Sequence, residues 1–367
     1  AIQRYEVNAY GKRINQLEYQ KGLQGSKIRL TVDTEVQKLS AKLLENKAGS
    51  ISVMDIYTGD IIAMYSSPSY DPNLFLFGIS HDEWELIRNN PLKPLINKTL
   101  SGLYSPGSTI KPIVALSALE NNIINPNFKV KCTGKTELYG QTFHCWKEKG
   151  HGFVNLKNAM KQSCDTYFYE VARLLGVDRL NITAKKFGLG KKVLGDYFSN
   201  EKKGLFPNTS WKRNNLEKGW VLGETLITGI GQGYTQTTPL QLCLMTAQIA
   251  NGGYKIYPNI FMEDNEKNEP KDKFTQLFQS STNIKIVQDA MFGSTNEVMG
   301  TSYRSRIDDP IYQFAGKTGT SQVKRITERE RELDLKTFEI PYEERDHALY
   351  VAFGPYKNPR YALSVVV

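Results

Sequence analysis

A serine and a lysine three residues apart form the first candidate for chemistry. Ser108 and Lys111 follow the turn signal Pro106-Gly107, and apolar residues with helical spacing come after them. This pattern predicts that Ser108 lies at the first turn of a buried helix, with Lys111 on the same face. A lysine amine takes a serine proton only when burial or a second cation lowers its pKa. Taken alone, the spacing also fits a capping Ser108 and a snorkelling Lys111.

A second polar motif is the stretch Ser163-Cys-Asp165, which lies immediately before a predicted helix over 166–175. The same serine-to-acid spacing recurs elsewhere in the chain, so its frequency carries no information. Its position at a loop-to-helix junction is the informative feature. By itself, this position also fits an ordinary pair of helix-capping side chains.

A third motif, Lys317-Thr-Gly-Thr320, lies on a predicted strand near the end of the chain. Gly319 would let a ligand backbone lie close to that strand. The ammonium of Lys317 and the hydroxyls of Thr318 and Thr320 would hold a carboxylate. An ordinary sheet strand that ends in a turn is the alternative explanation.

The three motifs together form a recognisable series. S-x-x-K on a helix, then S-x-[ND], then K-T-G on a late strand is the known order in penicillin-binding proteins and class A β-lactamases. The chain resembles the penicillin-binding transpeptidases from about residue 6 to its end. Several stretches are similar to the elongation-specific class B members of this family: 7–11, 30–33, 54–59, 67–73, 150–152 and 238–241. One departure is Asp165, because many relatives have Asn there.

The resemblance implies a role for each residue of the first two motifs. Ser108 would attack the penultimate D-Ala carbonyl of a peptidoglycan stem peptide and form an acyl-enzyme, as it would with β-lactams. Lys111 would be the base, kept neutral by burial and by Lys317 across the cleft. Ser163 would relay the proton to the departing amine, and Asp165 would orient Lys111.

The third motif would bind the substrate. By the same resemblance, Lys317, Thr318, Gly319 and Thr320 would hold the terminal carboxylate. The backbone N–H groups of Ser108 and Thr320 would form the oxyanion hole. Catalysis of this kind requires no cofactor.

A loop-rich segment carries a candidate metal site with the spacing C-x12-C-x5-H-x12-C, formed by Cys132, Cys145, His151 and Cys164. Three thiolates and an imidazole suit structural zinc, and some relatives carry zinc in this region. His144 would be an alternative to His151. A Cys132–Cys145 disulfide or free thiols remain alternatives.

The predicted elements indicate an α+β fold with α/β/α layers. An antiparallel sheet of about five strands would combine strands from both ends of the chain, beside an all-helical subdomain. Residues 1–26 form a predicted hairpin and linker, which the resemblance implies are the remnant of an N-terminal pedestal. Residues 27–367 would be the transpeptidase domain. Thr34 is predicted to cap a helix that continues to about Asn46.

Two other stretches carry weaker signals. The G-x-G-x-G pattern at 229–233 lacks the flanking strand and later acid of a dinucleotide site, so we expect its glycines to serve backbone packing. The densely charged run 327–346 is predicted to be exposed and is a candidate docking segment.

The composition excludes some classes of protein and leaves others open. The formal net charge is +9, but no nucleic-acid-binding motif accompanies it. No run of 18 apolar residues is present, whereas the family implies a single membrane anchor and a position at the periplasmic face of the bacterial inner membrane. The partners implied by the family are RodA and MreC.

Alternative functions share parts of this pattern. A D,D-carboxypeptidase differs only in using water as the acceptor. A class D β-lactamase or β-lactam sensor has an apolar residue where Asp165 stands. A catalytically inactive scaffold that binds wall polymers is the non-enzyme alternative.

Overall fold

The computed structural model describes residues 2–262, 272–323 and 339–367, and all structural statements concern these residues. The strands are β1 (Ile2–Val7), β2 (Arg13–Gln20), β3 (Gly49–Asp55), β4 (Ile61–Ser67), β5 (Val130–Cys132), β6 (Lys135–Leu138), β7 (Gln141–His144), β8 (Gly152–Val154), β9 (Ala315–Ser321), β10 (His347–Gly354) and β11 (Tyr361–Val366). The helices are α1 (Thr34–Leu43), α2 (His81–Arg88), α3 (Lys98–Ser101), α4 (Lys111–Glu120), α5 (Leu156–Lys161), α6 (Asp165–Leu175), α7 (Val177–Lys186), α8 (Thr209–Leu216), α9 (Leu222–Gly229), α10 (Pro239–Ala250) and α11 (Ser281–Asn296).

The central sheet has the strand order β4-β3-β11-β10-β9, and every neighbouring pair is antiparallel. The early hairpin β3–β4 joins the late strands through β3 and β11, where Asp55 pairs with Tyr361. This arrangement confirms the predicted α+β fold with a sheet built from both ends of the chain. Strand β9, which carries the K-T-G motif, lies at the edge of the sheet.

Two buried helices connect the sheet to the helical region. All residues of α10 are buried, and this helix packs against β11 and β3. Thr238 caps it in a capping box with Gln241, and Pro239 is its first residue, as the sequence predicts. Helix α4 packs among α6, α7 and α11, so the segment that follows Ser108 is part of the core.

Some local predictions differ from the structure. Asp33, not Thr34, caps α1, because its Oδ1 accepts the N–H groups of Glu35 (2.8 Å) and Val36 (3.1 Å). The helix also ends at Leu43, earlier than predicted. The region called loop-rich contains two small antiparallel sheets, β5–β8 and β6–β7.

The predicted N-terminal hairpin is present as β1–β2, and its residues are largely exposed. Its assignment to a pedestal stays a prediction. In the charged run 327–346, residues 327–338 lie outside the described part of the chain. Among the described residues, no helix combines the length and apolar character needed to cross a bilayer.

Candidate active site

Ser108 lies in the 3₁₀ turn Gly107–Ile110, which continues directly into α4. The α-helix itself begins at Lys111, so Ser108 precedes it rather than occupying its first turn. Pro112 is tolerated there because the first N–H groups of a helix have no intrahelical partner. Ser108 is half-buried, whereas Lys111 has no exposed surface. Ser108 is thus partly accessible, whereas the Lys111 side chain is enclosed.

Ser163 brings the three motifs together. Its backbone is in the left-handed region (φ 54°), between α5 and α6. Lys111 Nζ donates to the Ser163 carbonyl (3.0 Å) and lies 3.2 Å from its Oγ. Lys317 Nζ lies 2.9 Å from the same Oγ. One hydroxyl therefore contacts both lysines, although they are 206 positions apart in the sequence (317 − 111).

The two lysines differ in their charged partners. Lys111 Nζ also donates to Asp165 Oδ1 at 2.7 Å, so its three N–H groups have three acceptors, as an ammonium requires. Within the described part of the chain, the hydrogen-bond partners of Lys317 Nζ are Ser163 Oγ and the Thr318 carbonyl (3.0 Å). Complete burial, and then the charge on Lys111, hold the pKa of Lys317 well below its usual range. Lys111 thus lies in an ion pair with Asp165, and burial favours the neutral form of Lys317. The role of Lys111 as the base stays a prediction.

The outer edge of β9 faces the turn that contains Ser108. Ala348, the partner of Thr320 on β10, exchanges both backbone hydrogen bonds with Val367, on the far side of β10. Ala348 and Thr320 are therefore a non-hydrogen-bonded pair, and the N–H and C=O of Thr320 both point to the free edge. The position that a Cβ would take on Gly107 is 3.0 Å from the Thr320 nitrogen. Both N–H groups predicted to bind the oxyanion thus lie beside the same turn.

The other two residues of the third motif have partners within the protein. A Cβ on Gly319 would lie 2.7 Å from Thr109 Cγ2 and 2.9 Å from the Pro106 carbonyl oxygen. Gly319 thus permits close packing of the strand on the Ser108 turn, and its predicted role in ligand approach stays a prediction. Thr318 Oγ1 is hydrogen-bonded to Thr301 Oγ1 (2.9 Å), which lies at the exposed rim.

Asp165 connects the serine–lysine cluster to the cysteine-rich segment. Its second oxygen, Oδ2, accepts the backbone N–H of Trp146 at 3.0 Å. The indole Nε1 of Trp146 donates to the Gln162 carbonyl at 3.0 Å. Because Trp146 directly follows Cys145, movement of that cysteine would be transmitted to the carboxylate that pairs with Lys111.

Cys132, Cys145, His151 and Cys164 form a compact cluster. Their candidate ligand atoms all lie within 4.8 Å of one another. His151 Nδ1 is 3.5 Å from Cys132 Sγ and 3.6 Å from Cys145 Sγ. A tetrahedral zinc site has nitrogen–sulfur edges of about 3.6 Å, because Zn–S is about 2.3 Å and Zn–N about 2.0–2.1 Å. The donor set and its spacing therefore fit zinc.

The chemistry of the thiols supports the same interpretation. All four cysteines are free, so the alternative disulfide is not formed. A hydrogen bond from Cys164 lowers the pKa of Cys145 to about 5, which favours a thiolate there. His144 is exposed and lies outside the cluster, so it does not replace His151.

Sequence reasoning missed three residues that contact the site: Trp146, Thr301 and Gln232. Trp146 and Thr301 belong to no motif considered above. Gln232 lies within the G-x-G-x-G pattern. A polar side chain between two glycines was the feature of the sequence that could have indicated a role for it. Its Nε2 donates to the Thr320 carbonyl at 2.8 Å.

The fold and this cluster define a class of protein, and comparison with known families agrees. Residues 49–367 match the family described as the penicillin binding protein transpeptidase domain. The chain belongs to this family, as its motifs predict.

Two curated relatives are named peptidoglycan D,D-transpeptidase MrdA. The protein from Escherichia coli (strain K12) is 35% identical over 370 residues, which cover 99% of this chain and 58% of that protein. The protein from Acinetobacter baumannii is 35% identical over 369 residues, which cover 98% and 54%, respectively. The chain thus spans little more than half the length of these relatives.

Solved structures of penicillin-binding protein 2 (PBP2) are similar over most of the chain. Pseudomonas aeruginosa PBP2 in complex with WCK 5153 has a TM-score of 0.83 and 38% identity, covering 93% of this chain and 73% of that one. The complex between PBP2 and MreC from Helicobacter pylori has a TM-score of 0.83 and 33% identity, covering 100% and 64%. These relatives confirm the likeness to this branch of the family that the short sequence stretches predict.

Proposed function

We propose that this protein is a serine D,D-transpeptidase that cross-links peptidoglycan stem peptides. The observation that carries the proposal is the double contact of Ser163 Oγ with Lys111 Nζ (3.2 Å) and Lys317 Nζ (2.9 Å). This cluster lies next to the turn that presents Ser108. A hydroxyl between two amines is a direct path for a proton, which the acylation of a serine requires.

The reaction begins with a redistribution of protons. Arrival of the anionic substrate carboxylate favours a charged Lys317. Ser163 gives its hydroxyl proton to Lys317 and receives one from Lys111, which leaves Lys111 neutral. Lys111 then takes the hydroxyl proton of Ser108 while Ser108 Oγ forms a bond to the penultimate D-Ala carbonyl carbon. Asp165 keeps Lys111 in place through the 2.7 Å contact.

Cross-linking completes the cycle. The bond to the terminal D-Ala breaks, and its amine leaves with a proton that Ser163 relays from Lys111. An amine from a second stem peptide then attacks the acyl carbon. Lys111 takes a proton from this amine and returns it to Ser108 Oγ as the ester bond breaks. The N–H groups of Ser108 and Thr320 stabilise the oxyanion in both halves, each donor contributing roughly 3–4 kcal/mol.

Recognition of the peptide uses the free edge of β9. An extended peptide would pair with the outward-facing backbone of Thr320, in the manner of an added strand. Lys317, Thr318 and Thr320 would contact its terminal carboxylate. Gly319 keeps the strand close to the Ser108 turn, and Thr301 holds the Thr318 hydroxyl.

Covalent labelling of Ser108 tests this function. Fluorescent penicillin is expected to label the wild-type protein stably and to leave Ser108→Ala unlabelled. Rapid turnover of the label would indicate a β-lactamase, and an unlabelled wild-type protein would indicate the inactive scaffold. Product analysis with a stem peptide and an added amine acceptor then separates a transpeptidase from a D,D-carboxypeptidase.

The biological setting is inferred from the relatives. We propose a role in cell-wall elongation and rod shape, at the periplasmic face of the inner membrane, with an anchor in the full-length protein. Because the Helicobacter pylori PBP2 was solved with MreC, an MreC-type scaffold is the proposed partner, and RodA is the proposed glycan polymerase. Pull-down of MreC from a detergent extract with the full-length protein tests the first partner.

We also propose that Cys132, Cys145, His151 and Cys164 hold a structural zinc ion. A bound zinc ion would cross-link the ends of β5, β7 and α6 and would supply no step of the reaction. Elemental analysis should find one equivalent of zinc in the wild-type protein and none in Cys145→Ser. Cys243→Ala, at a buried cysteine outside the cluster, is the control and should keep its zinc. A folded wild-type protein without zinc would contradict this part of the proposal.

A further inference from the structure

The loop between α9 and α10 (residues 230–238, the α9–α10 loop) contacts both sides of the candidate oxyanion site. The backbone N–H of Gly107 donates to the Gly231 carbonyl at 2.9 Å. The side-chain amide of the next residue, Gln232, donates to the Thr320 carbonyl at 2.8 Å. Two adjacent residues of one loop therefore hold the Ser108 turn and strand β9.

The backbones at this point are packed without space for side chains. Gly231 has φ 75°, and a Cβ there would lie 2.2 Å from the Gly107 carbonyl oxygen. Gly107 has φ 53°, and its Cβ would lie 2.3 Å from the Thr320 carbonyl oxygen. The predicted packing role of the glycine pattern at 229–233 is thus fulfilled here, but it leaves the amide of Gln232 unexplained.

The direction of the Thr320 backbone groups gives the Gln232 amide a role. The C=O and N–H of Thr320 point to the same free edge, so a group that holds the carbonyl also fixes the direction of the N–H. The bond between the Gly107 N–H and the Gly231 carbonyl holds the peptide between Pro106 and Gly107, one peptide before the one that carries the Ser108 N–H. The distance between the two oxyanion donors therefore depends on residues 231 and 232.

We propose that Gln232 is a positioning residue that sets the direction and spacing of the two backbone N–H groups that bind the oxyanion. The proposal rests on the proposed function. Gln232 acts through its hydrogen bond to the Thr320 main chain, so it is argued to position the donors and not to bind the substrate. Its effect is expected in the tetrahedral transition state, because this is where the oxyanion forms.

Gln232→Met removes the amide donor and keeps the length of the side chain. The acylation rate constant with fluorescent penicillin should fall about 10- to 50-fold, less than the roughly 10²–10³-fold loss for deleting a direct oxyanion donor. The dissociation constant of the complex formed before acylation should change less than about threefold. Affinity for a boronic acid, which forms a tetrahedral adduct with the serine, should fall in parallel with the rate constant.

Gln236→Met is the matched control, because Gln236 is an exposed glutamine of the same loop. It should acylate at the wild-type rate. An unchanged acylation rate in folded Gln232→Met would overturn the proposal, as would a loss confined to the pre-acylation complex. An unlabelled wild-type protein would instead remove the proposed function, so the two failures are distinguishable.

Gln232→Glu provides a second readout and serves if the Met variant does not fold. An ionised glutamate cannot donate to the Thr320 carbonyl, whereas a protonated one can. The ratio of its acylation rate to that of the wild type should therefore rise as the pH falls from 7 to 5. A ratio that is constant with pH would overturn the proposal.

Discussion

Two clusters of buried lysines differ in the balance of their charges. Lys212, with 5% exposed surface, forms an ion pair with Glu224 and lies near the Trp220 ring. In the candidate active site, Lys111 and Lys317 are both fully buried but share one carboxylate, that of Asp165. The first cluster is neutral, and the second contains one more potential cation than anion.

This difference in charge balance distinguishes the structural ion pair of Lys212 from the lysine cluster of the candidate active site. The one-to-one ion pair of Lys212 and Glu224 joins α8 to α9 and balances the buried charge. With two amines for one carboxylate, burial favours the loss of a proton, and Lys317 has the lowered pKa. An excess amine of this kind is suited to exchange protons and to bind an anion, and the balanced pair has no such excess.

Removal of one of the two amines of the candidate active site should have the largest effect on acylation. Lys111→Met leaves Lys317 and Asp165 as a balanced pair, so the fold should persist while penicillin acylation falls about 10³-fold or more. Stopped-flow acylation and thermal unfolding measure the two consequences. Acylation within tenfold of the wild type would contradict the role assigned to Lys111.

Breaking the Lys212–Glu224 pair should have the opposite outcome: stability should fall and acylation should be kept. Glu224→Gln leaves the Lys212 ammonium buried without its counter-ion, which should lower the free energy of unfolding by about 2–4 kcal/mol. Acylation measured well below the unfolding temperature should stay within about twofold. In the double variant Lys212→Met with Glu224→Leu, most of the lost stability should return. A stable but inactive Glu224→Gln protein would invalidate the comparison.

A fourth buried lysine tests how burial alone acts. Lys98 has 7% exposed surface, and the Lys93 carbonyl is its hydrogen-bond acceptor. Burial lowers the pKa of Lys98 from 10.5 to about 8. Between pH 8 and 10.5 the unfolded chain binds this proton and the folded chain does not, so stability should rise with pH in that window.

Denaturant unfolding of Lys98→Met against the wild type measures this effect. Below pH 8, the variant should gain about 1–3 kcal/mol relative to the wild type, because the wild type buries a charge there. The gain should shrink as the pH approaches 10.5. A difference that does not vary with pH would show that Lys98 is solvated in the folded state.

An exposed ion pair completes the series with the smallest effect. Lys38 and Glu35 lie 2.9 Å apart on α1, with 73% and 79% of their side chains exposed. Lys38→Ala should leave the unfolding midpoint and the acylation rate unchanged within error, because solvent and salt screen such a pair. A clear loss of stability would mean that burial is not what separates the three lysine clusters above.

Patterns local in sequence predicted much of the fold. The capping box at Thr238 and Gln241, the hairpin around Gly59 and the apolar run after Ser108 all depend on residues within one element. Such signals predicted the strands of the sheet and the elements on which the motifs lie. The predicted capping residue of α1 was wrong because Thr34 and the adjacent Asp33 are both suitable capping residues.

Contacts between distant segments were beyond such patterns. The charge of Lys111 depends on where Asp165 and Lys317 lie, and this is a property of the folded chain. The Gln232 bond to Thr320 joins positions 88 residues apart. Sequence spacing identified the candidate residues, and the structure was needed to show that the two amines lie on one hydroxyl and share one carboxylate.

The outward-facing edge of β9 has a consequence for inhibitors. A compound that pairs with the N–H and C=O of Thr320 binds main-chain atoms, and these atoms are the same whichever amino acid occupies the position. Exchanging side chains along the strand therefore leaves the docking pattern intact. Evasion of such a compound would require a shift of the strand itself, and that shift would also displace the peptide substrate proposed above.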